Sequence, residues 1–216
     1  MDYTTRRVKL VDRLVSQRYL STGAVISAMR KIPREEFIPD KLRASAYDDN
    51  PLPVGFGQTI SAPHMVAIMS EALLVAENSK ILEVGAGSGY QAAVLAEIAK
   101  KGWVYTIERV PELVAWSRGR LTACGLRNVS VVEGDGTVGL PEHAPYDRII
   151  VTAAAPRVPK ALVEQLALDG ILLVPVGSQG YQELMRVRKK DGGAVTENLS
   201  GCVFVPLIGE DGWQLP

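Results

Sequence analysis

The chain has 216 residues, 47% of them hydrophobic and 22% charged, which is the ordinary composition of a globular protein. Lys and Arg together number 24, as do Asp and Glu, so the formal net charge is zero and no overall basic field favours nucleic acid. The two cysteines and two histidines are too few to suggest a disulfide framework or a metal site. The N-terminus is charged, which argues against a secretory signal, and no apolar run is long enough to span a membrane. The cytoplasm is therefore the expected location.

Residues 1–79 form the first of three regions and are predicted to be largely helical. Ser21 and Thr22 can cap the second of its helices. After a break at Pro33–Pro39, the stretch Tyr47–Ser61 is rich in Pro, Gly and Asp and reads as a long ordered loop, which is often functional. The predicted helices are Val8–Tyr19, a segment from the Ser21-Thr22 cap through Arg30, and Ala62–Ala76.

Residues 80–156 alternate between apolar runs and helical patterns, which predicts an α/β fold of the Rossmann-like class with a mostly parallel sheet and helices on both faces. The predicted strands are Ile81–Val84, Trp103–Glu108, Val129–Glu133 and Tyr146–Thr152, and the predicted helices are Gln91–Lys100 and Pro111–Ala123. The carboxyl ends of these strands meet at one edge of the sheet, where open α/β folds bind their ligands.

Residues 157–216 complete the sheet of what we expect to be a single domain, ending in a hairpin at its edge with Asp191, Gly192 and Gly193 at the turn. The predicted elements are a helix over Pro159–Leu166, a strand over Ile171–Val176, and two hairpin strands over Glu183–Lys189 and Ala194–Pro206.

The turn after the first core strand carries glycines at alternate positions, together with one serine. A dinucleotide fingerprint would place its third glycine at position 90, where this chain has Tyr90. The spacing therefore favours S-adenosylmethionine over NAD as the ligand, although glycines alone are also compatible with a tight turn that binds nothing. The predicted cofactor-binding residues of this turn are Gly85, Gly87, Ser88 and Gly89.

Three acidic residues at strand ends are further candidate cofactor ligands. Glu108 lies 19 residues after Gly89 (108 − 89), close to the spacing of about 20 for a carboxylate that accepts ribose hydroxyls. Asp135, followed by Gly136, can reach the edge of an adenine or can simply form a turn. Glu83 either fixes the glycine turn around the methionyl end of the cofactor or holds nearby N–H groups.

Segments spread over nearly the whole chain match the pattern of one enzyme family. The matching segments are Arg34–Pro39, Ala46-Tyr47, Pro51–Gly55, Gly57–Pro63, Leu82–Tyr90, Gly134–Gly136, Val151–Pro156 and Phe204–Leu207. On these segments the chain resembles the protein-L-isoaspartate O-methyltransferases. Gly57–Pro63 is the diagnostic run, whereas Gly87–Gly89 is shared by many methyltransferases. The resemblance implies an enzyme that uses S-adenosyl-L-methionine, releases S-adenosyl-L-homocysteine and methylates the free carboxyl group of L-isoaspartyl residues. The ester would collapse to a succinimide, which can reopen as normal aspartate.

The same resemblance implies that Ser61 lies at the active site and donates to the acceptor carboxylate, with Gln58, Thr59 and Ile60 lining the substrate pocket. A carboxylate is already ionised at neutral pH and needs no general base, so catalysis would depend on proximity and the exclusion of water. From the residues alone, Ser61 can equally cap the helix that begins near Ala62.

Two other functions stay open from the sequence. One is an NAD-dependent oxidoreductase, against which Tyr90 argues; the other is a protein that binds S-adenosylmethionine without catalysis. The expected partners are isoaspartyl-containing proteins and peptides, with no nucleic acid, membrane or metal, and a monomer is favoured.

Overall fold

A computed structural model of residues 2–214 places a seven-stranded sheet at the centre of the molecule. The strands are β1 (Leu52–Gly55), β2 (Gln58–Ile60), β3 (Lys80–Val84), β4 (Trp103–Glu108), β5 (Val129–Glu133), β6 (Tyr146–Val151), β7 (Leu166–Gly177), β8 (Gln182–Lys190) and β9 (Gly193–Cys202). The helices are α1 (Tyr3–Ser16), α2 (Gly23–Lys31), α3 (Pro63–Ala72), α4 (Tyr90–Ile98), α5 (Pro111–Ala123) and α6 (Lys160–Glu164). The order across the sheet is β5-β4-β3-β6-β7-β8-β9, while β1 and β2 form a separate antiparallel hairpin.

The strands from β3 to β7 pair in parallel, and β8 and β9 add an antiparallel hairpin at one edge. The chain runs outward from β3 through β4 to β5 and then returns to the other side of β3 with β6. At such a switch point the connections after neighbouring strands diverge and leave a crevice at the carboxyl ends. The predicted α/β class, with its parallel sheet and C-terminal hairpin, is confirmed.

Two apolar clusters cover the two faces of the sheet, because successive side chains of a strand point in opposite directions. In β3, Ile81 packs into the cluster that includes residues of α1 to α5, and Leu82 packs into the cluster that includes Leu162 of α6. Every residue of α4 is buried, so this helix is enclosed between the sheet and the N-terminal helices. No helix within residues 2–214 has the length and apolar character that crossing a membrane requires.

The prediction of a loop over Tyr47–Ser61 is wrong in its second half, where β1 and β2 pair as a hairpin. Its turn residues Phe56 and Gly57 have positive φ angles of 53° and 70°. Turns of this kind suit the right-handed twist of paired strands. The usual Asn-Gly or Asp-Gly signal is absent from this turn, which is why the pattern of residues did not reveal it.

Helix boundaries in the N-terminal region also differ from the predictions. α1 begins at Tyr3 because the Asp2 carboxylate accepts a hydrogen bond from the Thr5 N–H at 2.8 Å. Ser21 and Thr22 do not cap α2 with their side chains; both instead donate to the carboxylate of Glu71 in α3. α3 itself ends at Ala72, four residues before the predicted end.

The C-terminal third differs mainly in the length of its strands. β7 begins at Leu166 instead of Ile171, because Leu166 already pairs with Tyr146 of β6. This early strand shortens the predicted helix over Pro159–Leu166 to the five residues of α6. β9 ends at Cys202 instead of continuing to residue 206.

Candidate active site

Two adjoining pockets open at the carboxyl ends of the central strands and form two halves of one cleft. One half lies between the glycine turn and β2, and the other lies between Gly136 and residues 206–208. The residues that line both halves are Gln58, Gly85, Glu108 and Ala153. The cleft therefore lies at the switch point between β3 and β6, where the topology predicts a ligand.

Glu108 holds the glycine turn in place. Its side chain is buried at the end of β4, where one carboxylate oxygen accepts the Gly87 N–H at 2.8 Å and the other accepts the Val110 N–H at 3.0 Å. Gly87 has a φ of +50°, and a Cβ atom built there would meet nothing within 4 Å. The turn thus leaves room for a ligand beside Gly87, and each oxygen of Glu108 can still accept a second hydrogen bond.

Glu83 lies inside the fold and lines neither half of the cleft. The Thr106 hydroxyl of β4 donates to its Oε2 atom, and its Oε1 atom has no hydrogen-bond partner among the described residues. Burial raises the pKa of the Glu83 carboxyl to about 8; the bond from Thr106 opposes this increase, and the charge of Glu108 adds to it. One of the two alternatives for Glu83 was that it holds nearby N–H groups. In the structure Glu108 accepts those of Gly87 and Val110.

Ser61 lies where the cleft meets a groove of about 720 Å³, and it lines both spaces. The N-cap residue of α3 is Ala62, whose side chain makes no capping hydrogen bond, and the first-turn N–H of His64 donates instead to the Asp49 carboxylate at 2.9 Å. The capping alternative for Ser61 is therefore not observed. No hydrogen bond of the Ser61 hydroxyl to protein is found within residues 2–214, so the hydroxyl is available to a ligand.

The groove is built from two segments far apart in the sequence. Residues 51–65 form one side, Tyr181 with residues 201–205 forms the other, and Thr152 also lines the groove. His64, to which sequence analysis assigned no role, lines the groove with its Nδ1 atom 3.0 Å from the Asp49 carboxylate. The sequence reasoning missed both His64 and Tyr181, because neither lies in a pattern that indicates its distant neighbours.

The Asp135 carboxylate is largely occupied by protein groups. Its Oδ1 atom accepts the N–H and the hydroxyl of Thr137 at 2.8 and 2.7 Å, and its Oδ2 atom accepts the Glu210 N–H at 2.7 Å. Partial burial acts to raise its pKa, but these hydrogen bonds outweigh that effect and hold the pKa below its ordinary value. One acceptor position on Oδ2 remains for a further donor.

The structure brings most of the predicted site residues together. Those lining the first half of the cleft are Gln58, Thr59, Ile60, Ser61, Gly85, Gly87, Ser88 and Glu108. Gly136 lines the second half, whereas Glu83, Gly89 and Asp135 line neither. Gly89 is the N-cap residue of α4, and a Cβ atom built on it would lie 3.1 Å from the Cβ atom of Ser117. Sequence reasoning missed Thr152, whose hydroxyl donates to the Gly85 carbonyl at 2.6 Å and supports the turn from β6.

The sequence matches a family model described as protein-L-isoaspartate(D-aspartate) O-methyltransferase over residues 5–212. A protein-L-isoaspartate O-methyltransferase of Methanopyrus kandleri is 54% identical over 213 residues, which cover 97% of this chain and 94% of the relative. One from Ignicoccus hospitalis is 52% identical over 208 residues, covering 95% of this chain and 99% of the relative.

Solved structures agree with these sequence matches. A Plasmodium falciparum structure that carries the protein-L-isoaspartate O-methyltransferase name contains S-adenosyl-L-homocysteine and superposes with a TM-score of 0.84 at 27% identity, over 94% of this chain and 98% of that chain. A second structure of that name gives a TM-score of 0.86 at 30% identity, over 95% of this chain and 67% of that chain.

Proposed function

Because the chain belongs to the protein-L-isoaspartate(D-aspartate) O-methyltransferase family, we propose that its cleft holds the cofactor, its groove holds the substrate peptide, and Ser61 acts between them. The enzyme methylates the free carboxyl group of L-isoaspartyl residues in proteins and peptides, using S-adenosyl-L-methionine. The ester initiates repair to L-aspartyl through a succinimide. The observation that carries our assignment of the two spaces is that Ser61 lines both of them.

The residues of the cleft fit a nucleoside cofactor with an amino-acid end. The open side of Gly87 gives room beside a backbone turn, and Glu108 keeps acceptor positions for ribose hydroxyls. We assign Gly136 and the remaining acceptor position of Asp135 to the adenine. The proposed contacts of the methionyl end are Gly85, Gly87 and Ser88, with Gly89 and Glu83 supporting them from outside the cleft.

When bound, S-adenosylmethionine supplies a methyl group activated by its positively charged sulfur. The chain has to place a carboxylate oxygen in line with that group and exclude water. In our proposal the Ser61 hydroxyl donates to one oxygen of the isoaspartyl carboxylate and leaves the other oxygen free to react. Gln58, Thr59 and Ile60 form the wall beside it. The acceptor is ionised at neutral pH, so no residue has to remove a proton.

The groove surrounds this hydrogen bond with uncharged side chains. Among the described residues that line it, none is a lysine, an arginine, an aspartate or a glutamate. A hydrogen bond to a carboxylate is stronger in such surroundings than in water, and an unmatched polar group costs more there. This environment supports discrimination between isoaspartyl and aspartyl peptides, which differ by the position of one methylene group.

Methyl transfer from labelled cofactor to two peptides tests this function. We expect label on an isoaspartyl peptide and none on the same peptide with normal aspartate. Ser61→Ala should lower the rate by about 10- to 100-fold, the range for a lost hydrogen bond to a charged group, and should leave S-adenosylhomocysteine affinity unchanged. Ser16→Ala, at an exposed position near the end of α1, is the control and should be fully active.

Two results would contradict the proposal. Equal labelling of both peptides would remove the specificity for isoaspartate, and full activity of Ser61→Ala would remove Ser61 from the site. The single-domain organisation, the monomeric state, the cytoplasmic location and the absence of a nucleic-acid partner stay predictions, the last of which the zero net charge supports.

A further inference from the structure

The segment that follows β9 folds into a loop over residues 207–213, called the C-terminal loop below. The Trp213 N–H donates to the Leu207 carbonyl at 2.8 Å, and the Gly209 N–H donates to the Trp213 carbonyl at 3.2 Å, so the loop closes on itself. At the end of β6, the Ala154 carbonyl accepts both the Leu207 N–H at 2.8 Å and the Trp213 indole N–H at 3.0 Å. One end of the loop is therefore anchored to β6.

The other anchor of the C-terminal loop is at the end of β5. Here Asp135 accepts the Glu210 N–H, and the fully buried Thr137 accepts the Asp211 N–H through its hydroxyl at 3.0 Å. A Cβ atom built on Gly209 would lie 2.1 Å from the Asp135 carboxylate, so only glycine allows this close approach. Asp211 also pairs with Arg157, which ties the loop to the segment before α6.

These anchors fix the position of the cleft wall that residues 206–208 form. Pro206, Leu207 and Ile208 line the half of the cleft that Gly136 lines and that we assign to the adenine. Thr137 and Trp213, which hold the loop, line neither half. An apolar wall contributes to binding only where its atoms reach the ligand, so displacement of the loop would weaken adenine contacts without touching the acceptor groove.

We propose that Thr137 and Trp213 are positioning residues for the cofactor, which act by fixing the C-terminal loop as the wall against the adenine. This inference rests on the proposed assignment of the cleft to S-adenosylmethionine. It gives Asp135 a second task besides any contact with the adenine, because the same carboxylate holds Thr137 and the loop.

Two pairs of variants test the inference. Thr137→Val removes the hydroxyl that accepts from Asp211, while Thr137→Ser keeps it. Trp213→Phe removes the indole N–H that donates to the Ala154 carbonyl. Its matched control is Trp103→Phe, which removes the indole hydrogen bond from Trp103, at the start of β4, to Ser130 in β5. Calorimetry with S-adenosylhomocysteine measures affinity directly, and steady-state kinetics gives kcat and the KM of each substrate.

We expect Trp213→Phe, which loses one hydrogen bond, to raise the Kd for S-adenosylhomocysteine and the KM for the cofactor about fivefold. Thr137→Val should raise both at least as much, because the lost hydroxyl donates to Asp135 and accepts from Asp211. The kcat and the KM for the isoaspartyl peptide should stay within twofold of wild type. Thr137→Ser and Trp103→Phe should match wild type in every parameter. A role in stability alone would lower Tm without this selective change in the cofactor parameters.

Unchanged cofactor affinity in Trp213→Phe would overturn the inference, and so would an equal rise in both KM values. Should Thr137→Val fail to fold, the conservative Trp213→Phe variant decides by itself. Failure of the underlying function would be recognised separately, because wild-type protein would then neither bind S-adenosylhomocysteine nor label the isoaspartyl peptide.

Discussion

The cleft that we assign to the cofactor and the groove that we assign to the acceptor peptide meet at Ser61, but they are built in different ways. The cleft is lined by backbone turns at strand ends, and Glu108 and Thr152 hydrogen-bond those turns from neighbouring strands. The groove is lined by largely apolar side chains that come from residues 51–65 and from Tyr181 and residues 201–205. A larger share of the cleft lining is therefore polar than of the groove lining, and hydrogen bonds hold the turns of the cleft in place, whereas the groove is nearly uncharged.

This difference suits the two ligands. A cofactor has one structure, so fixed donors and acceptors can match it at every turnover. Isoaspartyl residues arise in many sequence contexts. A groove without charged walls does not repel flanking peptide residues of either charge, and it does not require a particular residue beside the isoaspartyl residue. The polar contacts that select the substrate can then be confined to the neighbourhood of Ser61, where the isoaspartyl carboxylate would lie.

The largest effect that separates the two regions should come from Glu108→Ala. This change removes the acceptor of two backbone N–H groups and the proposed acceptor of the ribose hydroxyls. We expect S-adenosylhomocysteine affinity to fall by about 1–3 kcal/mol, or roughly 5- to 150-fold, with little change in the KM for the peptide. Titration calorimetry measures the first quantity and initial rates measure the second.

Glu133→Ala is the matched control for this experiment. Glu133 ends the adjacent strand β5 in register with Glu108, but its side chain is exposed and lines neither half of the cleft. Its variant should bind the cofactor as wild type does. If Glu108→Ala bound equally well, the carboxylate would be no part of the cofactor site, and the contrast between a polar cleft and a neutral groove would lose its main support.

A smaller and opposite effect is expected from Tyr181→Ala in the groove. The Tyr181 side chain is 59% exposed and lines the groove, so a bound peptide can cover its ring. Its loss should raise the KM for an isoaspartyl peptide about 3- to 10-fold through lost apolar contact, with unchanged affinity for S-adenosylhomocysteine. Leu168→Ala, at a similarly exposed position in β7, should change neither quantity. A change in cofactor affinity alone would show that Tyr181 belongs to the other region.

The two regions also differ in how far the sequence predicts them. The core strands, the glycine turn and Glu108 follow from local patterns, because each strand, turn and helix uses residues close together in the chain. The hairpin β1–β2 was missed because its Phe56-Gly57 turn lacks the common signal. Tyr181 and His64 were missed because the groove forms only when segments more than a hundred residues apart come together.

The acidic residues at strand ends show why local sequence does not predict which side chains reach the site. Glu83 and Glu108 both end predicted strands, and spacing alone does not reveal which of them reaches the turn. In the structure Glu108 accepts the Gly87 N–H, and Glu83 points into the fold towards Thr106. For Asp135 the sequence offered a turn or an adenine contact, but its hydrogen bond to Glu210 joins residues 75 positions apart.

The smallest effect on ligand binding is expected at Glu83, a carboxyl group buried behind the cleft whose protonation affects stability. Its pKa is about 8 in the folded protein, against an ordinary value of 4.5. Between these values the folded protein keeps the proton and the unfolded chain loses it. The contribution of Glu83 to stability is therefore full below about pH 4.5 and is lost as the pH rises towards 8.

Glu83→Gln should remove this dependence, because an amide does not titrate and its oxygen can still accept the Thr106 hydroxyl. Thermal unfolding of both proteins at several values between pH 5 and pH 8 measures the difference. We expect the fall in Tm across this range to be about 6–14 °C smaller in the variant, because the proton held between these pKa values is worth about 3–4 kcal/mol over this range and each kcal/mol shifts Tm by about 2–4 °C in a domain of this size. The exposed Glu133→Gln variant should behave like wild type. Parallel Tm curves for Glu83→Gln and wild type would mean that Glu83 is already ionised inside the fold and would contradict the prediction.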